Sequence, residues 1–379
     1  GVLGGLGARG GMVHNPGFVD FRGMLARTKV AAGSVLGILP PADLADAILD
    51  DGPGRIRALL VVAADPLESL PSTAKVRRAL ERLETLVVLD VVPTATTALA
   101  SVVLPCAHHL EKEDVHLLLP DRVPRRYTQL SRRVVSPPGV SRSEVAILAD
   151  LASALGMPLF SPAAIDVAVR VASRLIRAGE RPVSPEGALE VLLPLATRFS
   201  LTRRGARAPS AGVRPAALDP RWLASGIRRR GGRIDLAPAR FVEALEQALR
   251  GEPSEPSAEG HDLVLTTCAR DRGFVNGKTR AIGRAANGLV ASLCAADAER
   301  RGLADGARGW LETAVGSAEV TVKLDPDVRE GLVVVPFGSP GLNALTDDRD
   351  RDPLSGIPAL ANVPCRLTSS GTRTEGVEA

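Results

Sequence analysis

Aromatic side chains make up only 3% of the 379 residues, with one tyrosine and two tryptophans. The basic stretch at Arg228-Arg229-Arg230 has none interleaved with it, so it offers no stacking platform for single-stranded nucleic acid. Lysine is scarcer still: Lys29, Lys75, Lys112, Lys278 and Lys323 leave arginine to supply nearly all the positive charge, a bias of the coding DNA. The net charge of +4 is small beside 47 basic and 43 acidic residues, so no protein-wide field calls for a polyanion. The one basic cluster, Arg228-Arg229-Arg230 near Arg233, is short and reads as a solvated loop, and no nucleic-acid partner is expected. The four cysteines, Cys106, Cys268, Cys294 and Cys365, form no Cys-x-x-Cys unit, which removes the usual signal for zinc or an iron–sulfur cluster. Scattered thiols of this kind suit a reducing compartment, and cytoplasmic residence is the expectation. No apolar run reaches the length of a membrane span. The sequence opens at Gly1 without an initiator methionine, so any export signal would lie upstream of it.

What is present is a chain with 45% hydrophobic residues, enough for about two or three cores of ordinary size. Arg55 to Ala63 predicts a strand, Thr73 to Leu83 a helix with Val76, Ala79, Leu80 and Leu83 on one face, and Thr85 to Asp90 a second strand. Together they form a βαβ unit. The unbroken runs Leu59-Leu60-Val61-Val62 and Leu86-Val87-Val88-Leu89 are the pattern of parallel strands buried on both faces. A third run, Val102-Val103-Leu104, extends the sheet. Residues 123–255 read as a helical return segment, with helices at Arg142 to Leu155, Ala163 to Ala178, Pro185 to Ala196 and Ala239 to Leu249, closed by the linker Gly251-Glu252-Pro253-Ser254-Glu255-Pro256-Ser257. From 256 to 370 short strands at Asp262 to Thr267, Gly309 to Thr313, Glu319 to Leu324 and Leu332 to Val335 predict a small β-barrel. Residues 371–379 read as a disordered tail.

The chemistry concentrates where strands end. Asp65-Pro66 follows the first strand, and Asp90 with Thr94 and Thr96 follows the second. Ligands of open parallel sheets bind at that rim. An ionised aspartate there can accept two hydrogen bonds from the Watson–Crick edge of a guanine or from a ribose diol, and the threonine hydroxyls can donate to a phosphate or sugar. The same residue types also cap turns and helices. Gly5-Leu6-Gly7-Ala8-Arg9-Gly10 fits Gly-x-Gly-x-x-Gly, but no strand precedes it and no acid follows at the interval a nicotinamide site needs. His108, His109, Glu111, Glu113, Asp114 and His116 have metal-ligand chemistry; their density of charge at the exit from the first domain reads instead as exposure, and no metal is assigned.

Several stretches resemble, in order, the molybdopterin-dependent oxidoreductases of the dimethyl-sulfoxide-reductase superfamily, which includes formate dehydrogenases and assimilatory nitrate reductases. They are Asp65-Pro66 with Ser69 and Pro71; Asp90-x-x-Pro93-Thr94-x-Thr96 running to Val102-Val103-Leu104-Pro105 and Leu110-Glu111-Lys112-Glu113-Asp114; and Pro137-Pro138-Gly139. Further along come Gly232-Arg233-Ile234-Asp235-Leu236, Ala296-Asp297-Ala298 with Gly302-Leu303-Ala304-Asp305-Gly306, and Asn343-Ala344-Leu345-Thr346-Asp347-Asp348 before Asp352-Pro353-Leu354-Ser355-Gly356. Departures exist: Asp65 stands where asparagine is common, Ala100-Ser101 where Ala-Asp is usual, and His116 to Asp121 replaces a Glu-Gly-Arg element.

The resemblance implies a Rossmann-like α/β domain over 1–122 and a double-psi β-barrel over 256–370, together holding molybdenum or tungsten between two molybdopterin guanine dinucleotides. It assigns Asp65, Pro66, Asp90, Thr94 and Thr96 to the nucleotide, and Thr267, Arg270, Asn276 and Asn343 to the pterins. Arg270 pairing with Asp271, and Asn276 and Asn343 as turn residues, are equally open readings. It further implies a C-terminal portion of a longer enzyme, inactive alone and with no catalytic residue of its own, whose [4Fe-4S] cluster and metal-ligating side chain belong to an N-terminal half. A small-molecule substrate and an electron-transfer partner follow. A noncatalytic scaffold subunit of a respiratory complex is the alternative.

Overall fold

The computed structural model describes residues 40–115, 130–131, 133–157, 237–250, 260–268, 288–352, 356–358 and 360–370. By contact density the chain divides into two compact units, one of Gly1–Ile38 with Pro105–Leu236, the other of Leu39–Leu104 with Ala237–Ala379. The second unit therefore joins the strand–helix–strand region to the C-terminal barrel.

Its α/β part begins with helix α1 (Leu44–Leu49), followed by strand β1 (Ala58–Val62), one helical turn α2 (Pro66–Ser69), helix α3 (Thr73–Glu81) and strand β2 (Thr85–Asp90). Strand β3 (Val102–Pro105) completes a three-stranded sheet in the order β1-β2-β3, and β1 pairs with β2 in parallel. In α3, Val76, Ala79 and Leu80 recur at helical spacing and are buried. They pack with Ala45 and Ile48 of α1 against Val61, Leu86 and Val88. Both helices therefore cover one face of the sheet. Leu60 and Val62 on the other face remain more than a third exposed, so β1 is not the strand buried on both sides that its apolar run predicts.

In the first unit, a short pair β4 (Asp114–Val115) and β5 (Leu130–Ser131) precedes helix α4 (Glu144–Ala154). Ser143 starts α4 by accepting a hydrogen bond from the Ala146 amide, 3.2 Å, a cap that removes one orphan donor. In the second unit, helix α5 (Ala239–Arg250) falls almost on its predicted span. The predicted helices at 163–178 and 185–196, the linker at 251–257 and the tail at 371–379 lie outside the described residues.

The barrel is closed and six-stranded: β6 (Leu263–Cys268), β7 (Leu289–Leu293), β8 (Arg308–Thr313), β9 (Gly316–Leu324), β10 (Leu332–Pro336) and β11 (Val363–Ser369), in the order β10-β6-β11-β8-β9-β7. Two of its pairings are parallel, β10 with β6 and β7 with β9; the rest are antiparallel. Alternate residues point inward, Leu263 and Leu265, Leu289, Ala291 and Leu293, Val320 and Val322, Val333 and Val335, all 3% exposed or less. That period of two is what a half-buried strand requires.

Helix α6 (Ala295–Arg300) is fastened to this wall by Asp297. Its buried carboxylate accepts from Gly331 N at 2.8 Å, from Arg300 at 2.5 Å, from Arg301 at 3.3 Å and from the Cys294 thiol at 3.3 Å. Burial acts against the charge, but these donors outweigh it and leave the Asp297 carboxyl below its ordinary value. The Ala296-Asp297-Ala298 motif thus has a structural task, joining α6 to the start of β10.

Candidate functional site

Val62 of β1 lies opposite Leu89 of β2, so the two strands deliver their next residues to one rim of the sheet. Past β1 the backbone turns through Ala63, a non-glycine residue at φ +51°. The Asp65 carbonyl then accepts from Glu68 N at 3.1 Å and Ser69 N at 2.9 Å, winding α2 with Pro66 at its first position. Proline suits that position because its absent N–H would have had no helical acceptor.

The Asp65 side chain faces the loop after β2. Its Oδ1 accepts the Thr96 amide at 3.2 Å and the Thr96 hydroxyl at 2.5 Å. The same hydroxyl accepts the Leu67 amide at 3.3 Å. Thr96 is fully buried. One threonine therefore ties the turn after β1 to the turn after β2, and its hydroxyl is engaged within the protein.

Asp90 occupies the last position of β2, on the face shared with Leu86 and Val88, and is 4% exposed. Its Oδ1 accepts Val91 N at 2.6 Å and Val92 N at 3.4 Å, so the carboxylate organises the turn that follows. Thr94 and Thr97 then cap each other. Thr97 Oγ1 accepts the Thr94 amide at 2.7 Å, and Thr94 Oγ1 accepts the Thr97 amide at 3.1 Å. Thr97, which no sequence motif marks, fixes the loop carrying Thr94.

From the barrel side, Gly341 at φ +80° opens a short 3-10 turn, Leu342–Leu345. Within it, Asn343 Nδ2 donates to the Glu68 carbonyl at 2.7 Å, and the Gly341 amide donates to the Glu68 carboxylate at 3.2 Å. The Asn343 turn and the Asp65 turn are thus bonded through α2. Thr267 sits near the end of β6, partly buried and opposite Val335. Arg270 and Asn276 lie outside the described residues.

A second set of contacts, unforeseen in the sequence, joins the same segments a few residues on. Ser72, held at φ +57°, donates its amide to the Thr346 carbonyl at 2.9 Å and its hydroxyl to Asp348 at 3.1 Å. Lys75 reaches Asp348 at 2.5 Å and Asp46 at 2.7 Å. Burial works against the lysine's charge, but its carboxylate partners prevail and raise its pKa above the ordinary value.

Around the histidine cluster, the His108 and His109 rings are 3.9 Å apart, and the Glu111 carboxylate accepts the His108 amide at 2.9 Å. His116 lies outside the described residues. No group of three metal-capable side chains occurs among the described residues, and no helix among them is long and apolar enough to cross a membrane.

Chemically, the rim offers two carboxylates on adjacent strand ends, threonine hydroxyls in capped loops and an amide from the barrel. Acceptor-only carboxylates are the complement of the neighbouring N–H groups of guanine and of a ribose diol. This donor and acceptor set fits the nucleoside end of a dinucleotide. Among the described residues nothing in it resembles a soft-metal ligand sphere.

Comparison with known proteins finds two family matches in this chain. Residues 5–154 match the Molybdopterin oxidoreductase family and residues 263–364 the Molydopterin dinucleotide binding domain. A nitrate reductase from Symbiobacterium thermophilum is 43% identical over 105 residues, 28% of this chain and 13% of that protein. An NADH-quinone oxidoreductase component from Rhizobium meliloti is 28% identical over 298 residues, 78% of this chain and 29% of its own. In fold, acetylene hydratase from Pelobacter acetylenicus superposes with a TM-score of 0.65 at 21% identity, covering 87% of this chain and 46% of that one. The chain spans less than half the length of each of these proteins.

Proposed function

The chain belongs to the molybdopterin oxidoreductases, and we propose that it is the C-terminal, cofactor-gripping portion of one such enzyme, serving two-electron oxidation, reduction or oxo transfer. Its two matched domains imply molybdenum or tungsten carried by molybdopterin guanine dinucleotides. When bound, that cofactor supplies the redox chemistry. The residues of this chain bind and orient it. In this reading the parallel sheet is Rossmann-like and the barrel of the double-psi type.

Asp65 and Asp90 are the acceptors for the nucleoside end, and Pro66 fixes the turn on which Asp65 stands. Thr94 is the hydroxyl donor of the loop beyond β2. Thr96 acts from behind, orienting Asp65 and bracing Leu67. On the barrel side, Thr267, Arg270, Asn276 and Asn343 are assigned to the pterins. A metal-ligating side chain, a [4Fe-4S] cluster, a small-molecule substrate and an electron-transfer partner belong to the whole enzyme.

The observation that carries this reading is the bonding of the Asp65 turn both to the loop after β2, through Thr96, and to the barrel, through Asn343. Elements expected to meet one long cofactor are fastened to one another. The test is loading: anaerobically purified full-length protein should contain molybdenum or tungsten and show pterin fluorescence, and changing both Asp65 and Asp90 to alanine should abolish both signals. Undiminished loading of the double variant refutes the assignment. The likeness to a component of a quinone oxidoreductase favours a second reading, a noncatalytic scaffold, which predicts neither metal nor pterin in the wild-type protein.

A further inference from the structure

The contacts between residues 66–75 and residues 341–351 have two ends. At one end Asn343 and Gly341 hold Glu68. At the other, Asp348, 4% exposed, accepts the Ser72 hydroxyl and the Lys75 ammonium, with Arg351 3.6 Å away. Arg351 also pairs with Asp43, which precedes α1, and with Asp46 in its first turn.

Two features separate this latch from an ordinary surface ion pair. First, Asp348 is buried, so its partners are engaged where solvent screening is weak and where water poorly replaces a lost one. Second, Ser72 is held in a left-handed conformation that a non-glycine residue does not adopt freely. Such strain persists where surrounding contacts over-determine the backbone. Here those contacts are the Thr346 carbonyl and Asp348, both from the barrel segment.

The strained residue lies between α2, which follows Asp65, and α3, which packs on the sheet. Opposite it, the turn carrying Asn343 has little freedom: a side-chain carbon on Gly316, at the β8–β9 hairpin, would overlap the Ala344 carbonyl. With the barrel turn pinned by the hairpin, a tie from Asp348 to Ser72 and Lys75 transfers that fixed position to the sheet rim.

We infer that Ser72, Lys75 and Asp348 are positioning residues that hold the Asp65 turn in register with the Asn343 turn, so that one ligand meets a prearranged surface rather than two independent ones. The inference rests on the proposed nucleotide site. Pre-ordering lowers the entropy lost on binding. Loosening the latch frees the Asp65 turn, and so weakens binding of the guanine nucleotide assigned to that turn without removing any group that contacts it.

The test compares the full chain with K75M, which keeps side-chain length and removes the charge, with K75R, which restores a cation, and with S72A, which removes the hydroxyl from Asp348 and leaves the backbone as constrained as before. Amide hydrogen exchange is followed at 67–70 and 341–344, with strands β8 and β9 as the internal reference, and GDP is titrated as the probe. In K75M and S72A exchange at both segments should quicken about tenfold and GDP binding should weaken about tenfold, while β8 and β9 stay unchanged. K75R should recover both. Exchange unchanged at the two segments, or raised equally in β8 and β9, overturns the latch. Faster local exchange with unaltered GDP affinity reduces it to a structural tie and overturns the positioning role. If wild-type protein takes up no GDP, the nucleotide reading fails separately and the positioning role falls with it, whereas the latch itself is still judged by the exchange pattern.

Discussion

Replacing Thr96 by valine removes one oxygen from the centre of the candidate site and conserves its volume. The hydroxyl has two partners, the Asp65 carboxylate as acceptor and the Leu67 amide as donor. Leu67 is 2% exposed, so its amide, deprived of a partner, costs about 2 kcal/mol. Asp65 is only half-buried and keeps the Thr96 amide; water replaces part of what it loses, adding about 1 kcal/mol. The sum, about 3 kcal/mol, corresponds to exchange of the Leu67 amide about two orders of magnitude faster. Native-state hydrogen exchange of a peptide spanning Asp65 to Leu70 measures it. T96S keeps the hydroxyl and loses one methyl, so it should cost about 1 kcal/mol. Should T96V protect Leu67 as well as wild type does, the hydroxyl does not bridge the two turns and the rim is not held together through Thr96.

Asp297 has a carboxyl held below its ordinary value of 3.8, so its contribution is in place above that value and disappears as pH falls through the folded one. Acid unfolding followed by fluorescence of Trp310 in β8 should therefore steepen below about pH 4, and D297N should flatten that limb and cost about 2 kcal/mol at neutral pH. Cys365, buried in β11, has its thiol pushed up to about 12, chiefly by burial. Iodoacetamide at pH about 8 should leave it unlabelled in the native protein and label it in urea, because the thiolate is the nucleophile. Changing Gly316 to alanine should destabilise the barrel by about 2 kcal/mol, since the obstacle is a backbone carbonyl that cannot swing aside; a melting temperature equal to wild type would refute the close packing at Ala344.

Local pattern makes much of this fold legible. The helix at 73–81 announces itself through Val76, Ala79 and Leu80, and the bounds of β2 are plain because Glu84 and Asp90 frame an apolar run. Two barrel strands, β7 and β11, do not show in the pattern. In Leu289–Leu293 the alternation is carried partly by alanine and serine, and in Val363–Ser369 it is interrupted by Pro364, so neither stands out until its partners are known. The one-sided burial of β1 is equally hidden, because an apolar run does not say which of its faces a helix will cover. At the site, the strand-end acids are readable from position alone. Glu68, Ser72, Lys75 and Asp348 are not, since their partners lie more than 270 residues away in sequence.

A residue that caps a turn and a residue that grips a ligand need not be rivals. A carboxylate has about four lone-pair positions, and at Asp65 the Thr96 amide and hydroxyl both address Oδ1. Those bonds lock the rotamer, and a locked acceptor loses less entropy when a ligand arrives. The same reasoning applies to Asn343, whose Nδ2 is committed to Glu68 and whose Oδ1 accepts from Thr346 at 3.3 Å. Internal bonding at the rim is therefore the physical means by which turns some 270 residues apart in sequence present polar groups at fixed positions, and turn-capping by these residues is compatible with the roles proposed for Asp65 at the nucleotide and Asn343 at the pterins.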